Sequence, residues 1–94
     1  MRYDIDLSDA AIRDLGRLLP PVRRYTIAQL ENLAEEPALL SERGDDIYPP
    51  DAQLFLFDYD YDNETWHLTV LFTYSEDERR LVIDRIKYLR VPND

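Results

Sequence analysis

Cysteine is absent from the 94 residues, which removes disulfides, thiolate metal sites and thiol nucleophiles together. Histidine occurs once, at His67, so a histidine-built zinc site lacks ligands. Lys87 is the only lysine among the eleven bases. No apolar run approaches the roughly 20 residues that a membrane-crossing helix needs. The opening Met1-Arg2-Tyr3-Asp4-Ile5-Asp6 alternates charged and apolar residues where a signal peptide would present an apolar block. These absences set the expectation of a cytoplasmic protein with no cofactor, no metal and no membrane contact.

What remains is an ordinary folding composition, 45% hydrophobic and 33% charged. The length suits one domain, 1–94, and a chain this short buries only about 60–65% of its unfolded surface. Its charge is unusual. Twenty acids against eleven bases give −9, which argues against sequence-independent nucleic-acid binding through the whole surface. An acidic face could bind a basic partner or imitate nucleic acid. An acidic surface also keeps proteins of a salt-adapted host soluble, and that plainer reading is preferred, because net charge speaks to solubility rather than fold. The charge is also uneven. Eleven acids and one base, Arg43, lie between Glu31 and Glu64, whereas Arg79 to Arg90 holds five bases and one acid, Asp84.

Tyr3, Ile5 and Leu7 alternate with Asp4 and Asp6, as in a half-buried strand. Ser8 then serves as N-cap, with Asp9 in the first turn. Ala11, Ile12, Leu15, Leu18 and Leu19 form the apolar stripe of a helix running to about Leu19. Pro20 and Pro21 end it, and Pro21 opens a second helix that buries Val22, Tyr25, Leu30, Leu33 and Ala34 and closes at Glu36 before Pro37. So short a connection predicts an antiparallel helical hairpin. Pro37 to Asp51 reads as loop, with Leu39, Leu40 and Ile47 holding it to the core. Period two then takes over. Phe55, Phe57, Tyr59 and Tyr61 face one side and Leu54, Leu56, Asp58 and Asp60 the other; Asp62-Asn63-Glu64 turns; Trp66, Leu68, Val70, Phe72 and Tyr74 share a face; and Arg80 to Arg90 makes a last strand after Ser75-Glu76-Asp77-Glu78. The order is β-α-α-β-β-β, an α+β domain.

Four stretches resemble the RelE/ParE superfamily of type II toxin–antitoxin toxins. They are Tyr3-Asp4-Ile5-Asp6-Leu7-Ser8 with Ala10-Ala11 and Asp14-Leu15; Arg23, Ile27, Leu30 and Leu33 closed by Pro37; Trp66-His67-Leu68-Thr69-Val70-Leu71-Phe72; and Leu81-Val82-Ile83-Asp84-Arg85-Ile86-Lys87-Tyr88. The resemblance implies a helical hairpin on a twisted antiparallel sheet. It implies a growth-inhibiting toxin that either cleaves mRNA on the ribosome or poisons DNA gyrase, and a cognate antitoxin that neutralises it. Arg85 matches the family's strand arginine, and Tyr88 falls where histidine or tyrosine stands. His67 replaces an arginine of the preceding strand, and the acidity departs from the basic nuclease toxins.

Metal-free RNA cleavage needs a base for the 2′-hydroxyl, a cation for the phosphorane-like charge and an acid for the leaving group. Arg85, Tyr88 and His67 are the candidate catalytic residues, and Arg79, Arg80, Lys87 and Arg90 the candidate target contacts. Strand parity separates Arg85 and Lys87 from Tyr88 and Arg90, so a bulge or the strand's end is required to bring them together. The Asp58-Tyr59-Asp60-Tyr61-Asp62 run invites a metal reading, but alternate strand residues stand about 6.5–7 Å apart, so aromatics toward the helices and carboxylates toward water is preferred. Apolar Leu71, Val82 and Ile86 opposite Val70 and Ile83 suggest a cover for the second sheet face, either an antitoxin-like peptide or a second copy of the chain. The alternative to a toxin is an inactive toxin-fold domain that serves as a protein interaction module.

Overall fold

The computed structural model describes residues 2–43 and 51–93. Its elements run β1 (Asp4–Leu7), α1 (Asp9–Arg17), α2 (Pro20–Glu35), α3 (Pro37–Leu40), β2 (Glu42–Arg43), β3 (Gln53–Tyr61), β4 (Glu64–Ser75) and β5 (Arg80–Pro92). The sheet order is β1-β5-β4-β3-β2. The β3-β4-β5 meander is antiparallel as expected, and β1 joins it parallel to β5, pairing Asp4 with Arg80 through Leu7 with Ile83. That parallel pair makes the sheet mixed, since α1 and α2 carry the chain across before the meander begins.

Ser8 caps α1 by accepting the Ala11 N–H at 3.0 Å. The helix stops at Arg17, two residues before the expected end. Leu19 precedes Pro20, whose ring bars the helical conformation from its neighbour, and both Leu18 and Leu19 are extended, so Pro20 rather than Pro21 opens α2. The orphan carbonyls at the end of α1 go to α2: Arg23 Nε donates to Leu15 O at 2.9 Å, and its Nη2 donates to Leu18 O at 2.9 Å and Gly16 O at 3.2 Å. Both helices lie on one face of the sheet, α1 against β5 and β1, and α2 against β3.

Beneath them the core joins Leu15, Leu18, Val22, Leu30 and Leu33 to Phe55, Trp66, Leu68, Val70, Phe72, Leu81, Ile83 and Ile86. Burying each large apolar side chain is worth about 1.5–3 kcal/mol. Tyr25 stacks on Tyr59 with ring centroids 4.5 Å apart, so the aromatics of β3 face the helices. Asp62 and Asn63, at φ 54° and 62°, form the two-residue turn between β3 and β4 that matches the twist of a hairpin.

Four apolar expectations differ, the first at Leu19, which lies past the end of α1 and is exposed. Ile12 is exposed, and its place in the buried stripe is taken by Asp14. Leu39 and Leu40 are exposed because the single turn of α3 buries Pro37 and points the next residues outward. Ile86 lies with Val70 and Ile83 on the helix side, so the apolar residues of the open face are half-buried Leu54, Leu71 and Val82 and exposed Leu56, Leu89 and Val91. Ile47, Asp45-Asp46 and the tandem prolines fall outside the described residues.

Candidate functional site

The register of the last hairpin breaks once. Leu71 pairs with Arg85 but Phe72 pairs with Ile83, so Asp84 is an extra residue in β5. This bulge shifts parity by one and lets both Ile83 and Ile86 face the core. It sits where β1 has just ended, at the Leu7–Ile83 pair, so among the described residues no strand pairs with the outer edge of β5 from Asp84 onward. Ser8 covers the first opening: its N–H donates to Ile83 O at 3.0 Å and its Oγ to Asp84 O at 2.7 Å.

Asp14 covers the next. Its Oδ2 accepts the Ile86 backbone N–H at 2.9 Å and Arg85 Nε at 2.9 Å, while Oδ1 accepts Arg85 Nη2 at 3.2 Å. Arg17 Nη1, one turn along α1, stands 3.8 Å from Oδ1. The carboxylate is 5% exposed. The Arg85 hydrogen bonds hold its pKa below the ordinary aspartate value, with the Ile86 N–H assisting and burial opposing. Asp14 carried no site assignment from sequence. A usable signal was there, because it stands three residues after Ala11 and four before Leu18, inside an apolar stripe where an acid needs a partner.

Beside this pair lies a cleft of about 350 Å³ lined by Asp14, Arg17, Arg85, Ile86, Lys87 and Tyr88. The bulge and the strand edge thus bring Arg85, Lys87 and Tyr88 together despite their parity. Lys87 has no acidic partner among the described residues, in contrast to its neighbours. Arg80 Nε pairs with Asp6 at 3.2 Å, and the Arg79 guanidinium lies 5.1 Å over the Tyr3 ring. Arg90 Nε and Nη2 donate to Glu64 at 3.2 and 2.5 Å, and its guanidinium lies 4.5 Å over the Trp66 ring. Tyr88 packs on the same ring, centroids 5.0 Å apart. Trp66 Nε1 is buried with no hydrogen-bond partner among the described residues. The five bases are therefore spread along β5, with Arg79 and Arg80 at the far end from Arg90 by roughly 30 Å.

His67 does not join the cleft. It pairs across strands with Leu89 and Asp58 on the open face, and its Nδ1 stands 2.7 Å from Asp58 Oδ1. Asp60 accepts Thr65 Oγ1 at 2.7 Å beside it. Asp58 and Asp60 thus serve as cross-strand polar partners, and among the described residues no cluster of His, Cys, Asp and Glu could hold a metal ion. Asp84 faces the same side; burial and then the Asp51 carboxylate push its pKa up.

No known protein-family profile and no curated protein matches the sequence. Solved structures do match. The chain is similar to the toxin–antitoxin complex RelBE2 of Mycobacterium tuberculosis at 15% identity and a TM-score of 0.72, over 95% of this chain and 100% of that one. It is similar to the intact E. coli RelBE toxin–antitoxin complex at 15% identity and 0.65, over 89% and 93%. A mutant E. coli toxin RelE in the free state matches at 16% identity and 0.66, over 92% and 82%. At these scores and coverages the likeness is one of fold, and the chain, helices packed on a mixed sheet, has the RelE toxin fold.

Proposed function

We propose that this chain is the toxin component of a type II toxin–antitoxin pair, and that it arrests growth by binding a protein target, DNA gyrase first among them, without cutting RNA. The fold likeness to RelE toxins over 92–95% of the chain supports the toxin reading. The partner is a cognate antitoxin, a reading supported by two of the similar structures being toxin–antitoxin complexes.

The observation that speaks against RNA cleavage is the separation of the candidate catalytic residues. An in-line attack needs base, cation and acid within hydrogen-bond reach of one phosphate. Arg85 and Tyr88 share the cleft on the β5 edge, while His67 is held by Asp58 on the open face. Arg85 is committed to Asp14, and the surface around His67 carries Asp58 and Asp60, which repel phosphate. A second reading, a toxin-fold interaction module without toxicity, draws on the exposed Leu56 and half-buried Leu54 and Leu71 of the same face.

Two assays with purified protein test the proposal together: cleavage of ribosome-bound mRNA and supercoiling by DNA gyrase. The expected result is intact mRNA and inhibited supercoiling. Cleaved mRNA overturns the proposal in favour of a ribonuclease. Inactivity in both, from folded protein, favours the interaction module.

A further inference from the structure

Lys87 is the one lysine of the chain, and it is exposed on β5. Arg80, Arg85 and Arg90 each hold a carboxylate, while Lys87 has no acidic partner among the described residues. Its neighbours in the cleft are cations instead. Arg85 stands two residues back on the same face of the strand, about 6.5–7 Å along it. Arg17 reaches the cleft from α1. Asp14 occupies Arg85 Nε and Nη2, which leaves Nη1 free. Three cations against the single carboxylate of Asp14 leave a surplus of two positive charges in the lining, which Tyr88 completes.

We propose that Lys87 is an acylation site, and that the cleft holds the phosphate of a small acyl phosphate beside its amine. A singly substituted phosphate carries about two negative charges near neutral pH, which matches the surplus of the cleft. Arg85 Nη1 and Arg17 take the phosphoryl oxygens, and the flexible Lys87 stem brings its nitrogen to the adjoining carbonyl carbon. The neutral ε-amine, one proton already passed to water, attacks that carbon. An N–C amide bond forms, and the C–O bond to phosphate breaks with its electron pair leaving on the phosphate oxygen. The second amine proton goes to that phosphate or to water. The products are inorganic phosphate and an uncharged acyl-lysine, with nothing oxidised or reduced. Holding donor and amine side by side is the source of the acceleration. The net charge of −9 sets a size limit: a long polyanion meets the acidic remainder of the surface, whereas a small dianion meets only the basic cleft. This inference goes beyond the toxin reading and does not rest on it, because a chain that arrests no growth has the same cleft.

The test incubates the whole chain with acetyl phosphate, in one tube with a capped Gly-Lys-Gly peptide, and follows acetylation of both lysines by mass spectrometry. A neutral acetyl thioester, which carries no phosphate, reports the intrinsic reactivity of the same two amines. The expected ratio of Lys87 to peptide acetylation is about tenfold higher with acetyl phosphate than with the thioester, the effect of one charge-assisted hydrogen bond to the donor. Excess inorganic phosphate should abolish that preference. Arg17→Gln, at a side chain 66% exposed, leaves the fold intact and should lower the preference severalfold without changing the thioester rate. Equal ratios for the two donors overturn the proposal. So does a preference for acetyl phosphate that survives both Arg17→Gln and excess phosphate.

Discussion

Asp14 on α1 and Arg85 on β5, 71 residues apart in the chain, are joined by hydrogen bonds of 2.9 and 3.2 Å. The same carboxylate takes the backbone N–H of Ile86, so one side chain fixes a helix, a bulge and a strand edge. That junction places the cleft and decides which cations remain available in it.

Asp14→Ala should cost about 1–3 kcal/mol of stability, because it strands the buried Ile86 N–H as well as freeing Arg85. Asp14→Asn should cost less, since an amide oxygen still accepts the N–H. Urea denaturation of the two variants beside wild type checks the order.

Ser8→Ala removes both the cap of α1 and the hydroxyl bond to Asp84 O, and should cost about 1–2 kcal/mol. Ser8→Asp should keep the cap and lose the bond to the carbonyl, so it should fall between wild type and Ser8→Ala in the same experiment.

Asp14 and Asp84 act on acid stability with opposite signs. The folded state lowers the Asp14 pKa, so its contribution is present above the ordinary aspartate value and is lost as pH falls through the lower folded value. It raises that of Asp84, so the folded state is favoured by protonation there and loses stability as pH rises through the raised value. Asp84→Asn should therefore raise stability near pH 7 relative to wild type, and Asp14→Asn should flatten the loss in acid. Denaturation midpoints between pH 2 and pH 7 read both slopes.

The single tryptophan reports on the far end of β5. Trp66 is sealed by the Tyr88 ring and the Arg90 guanidinium. Tyr88→Ala should admit water to the indole and move its emission to longer wavelength, whereas His67→Ala, on the other face, should leave it unchanged.

Much of this arrangement was legible in the sequence because hydrophobic period reports burial directly. The alternations Phe55-Phe57-Tyr59 and Trp66-Leu68-Val70-Phe72 named the faces of β3 and β4, and Ser8 named the start of α1. The cleft was harder to read. Its existence depends on Asp84 being an extra residue opposite Leu71, and a bulge leaves no mark in composition or period beyond an acid between Ile83 and Arg85. The parallel pairing of β1 was hidden for a related reason: Ile5 and Leu7 declare a buried face but not a neighbour. The role of Asp14 shows in the sequence only through its place inside the apolar stripe of α1, where a buried acid needs a partner.

Whether this chain stops growth while leaving RNA uncut is read by inducible expression in a bacterial host. Growth and labelled amino-acid incorporation are followed for wild type, His67→Ala and Lys87→Ala. The expected result is that growth stops while incorporation continues through the early hours, with His67→Ala as toxic as wild type. Incorporation that collapses with growth, and is restored by His67→Ala, would contradict it.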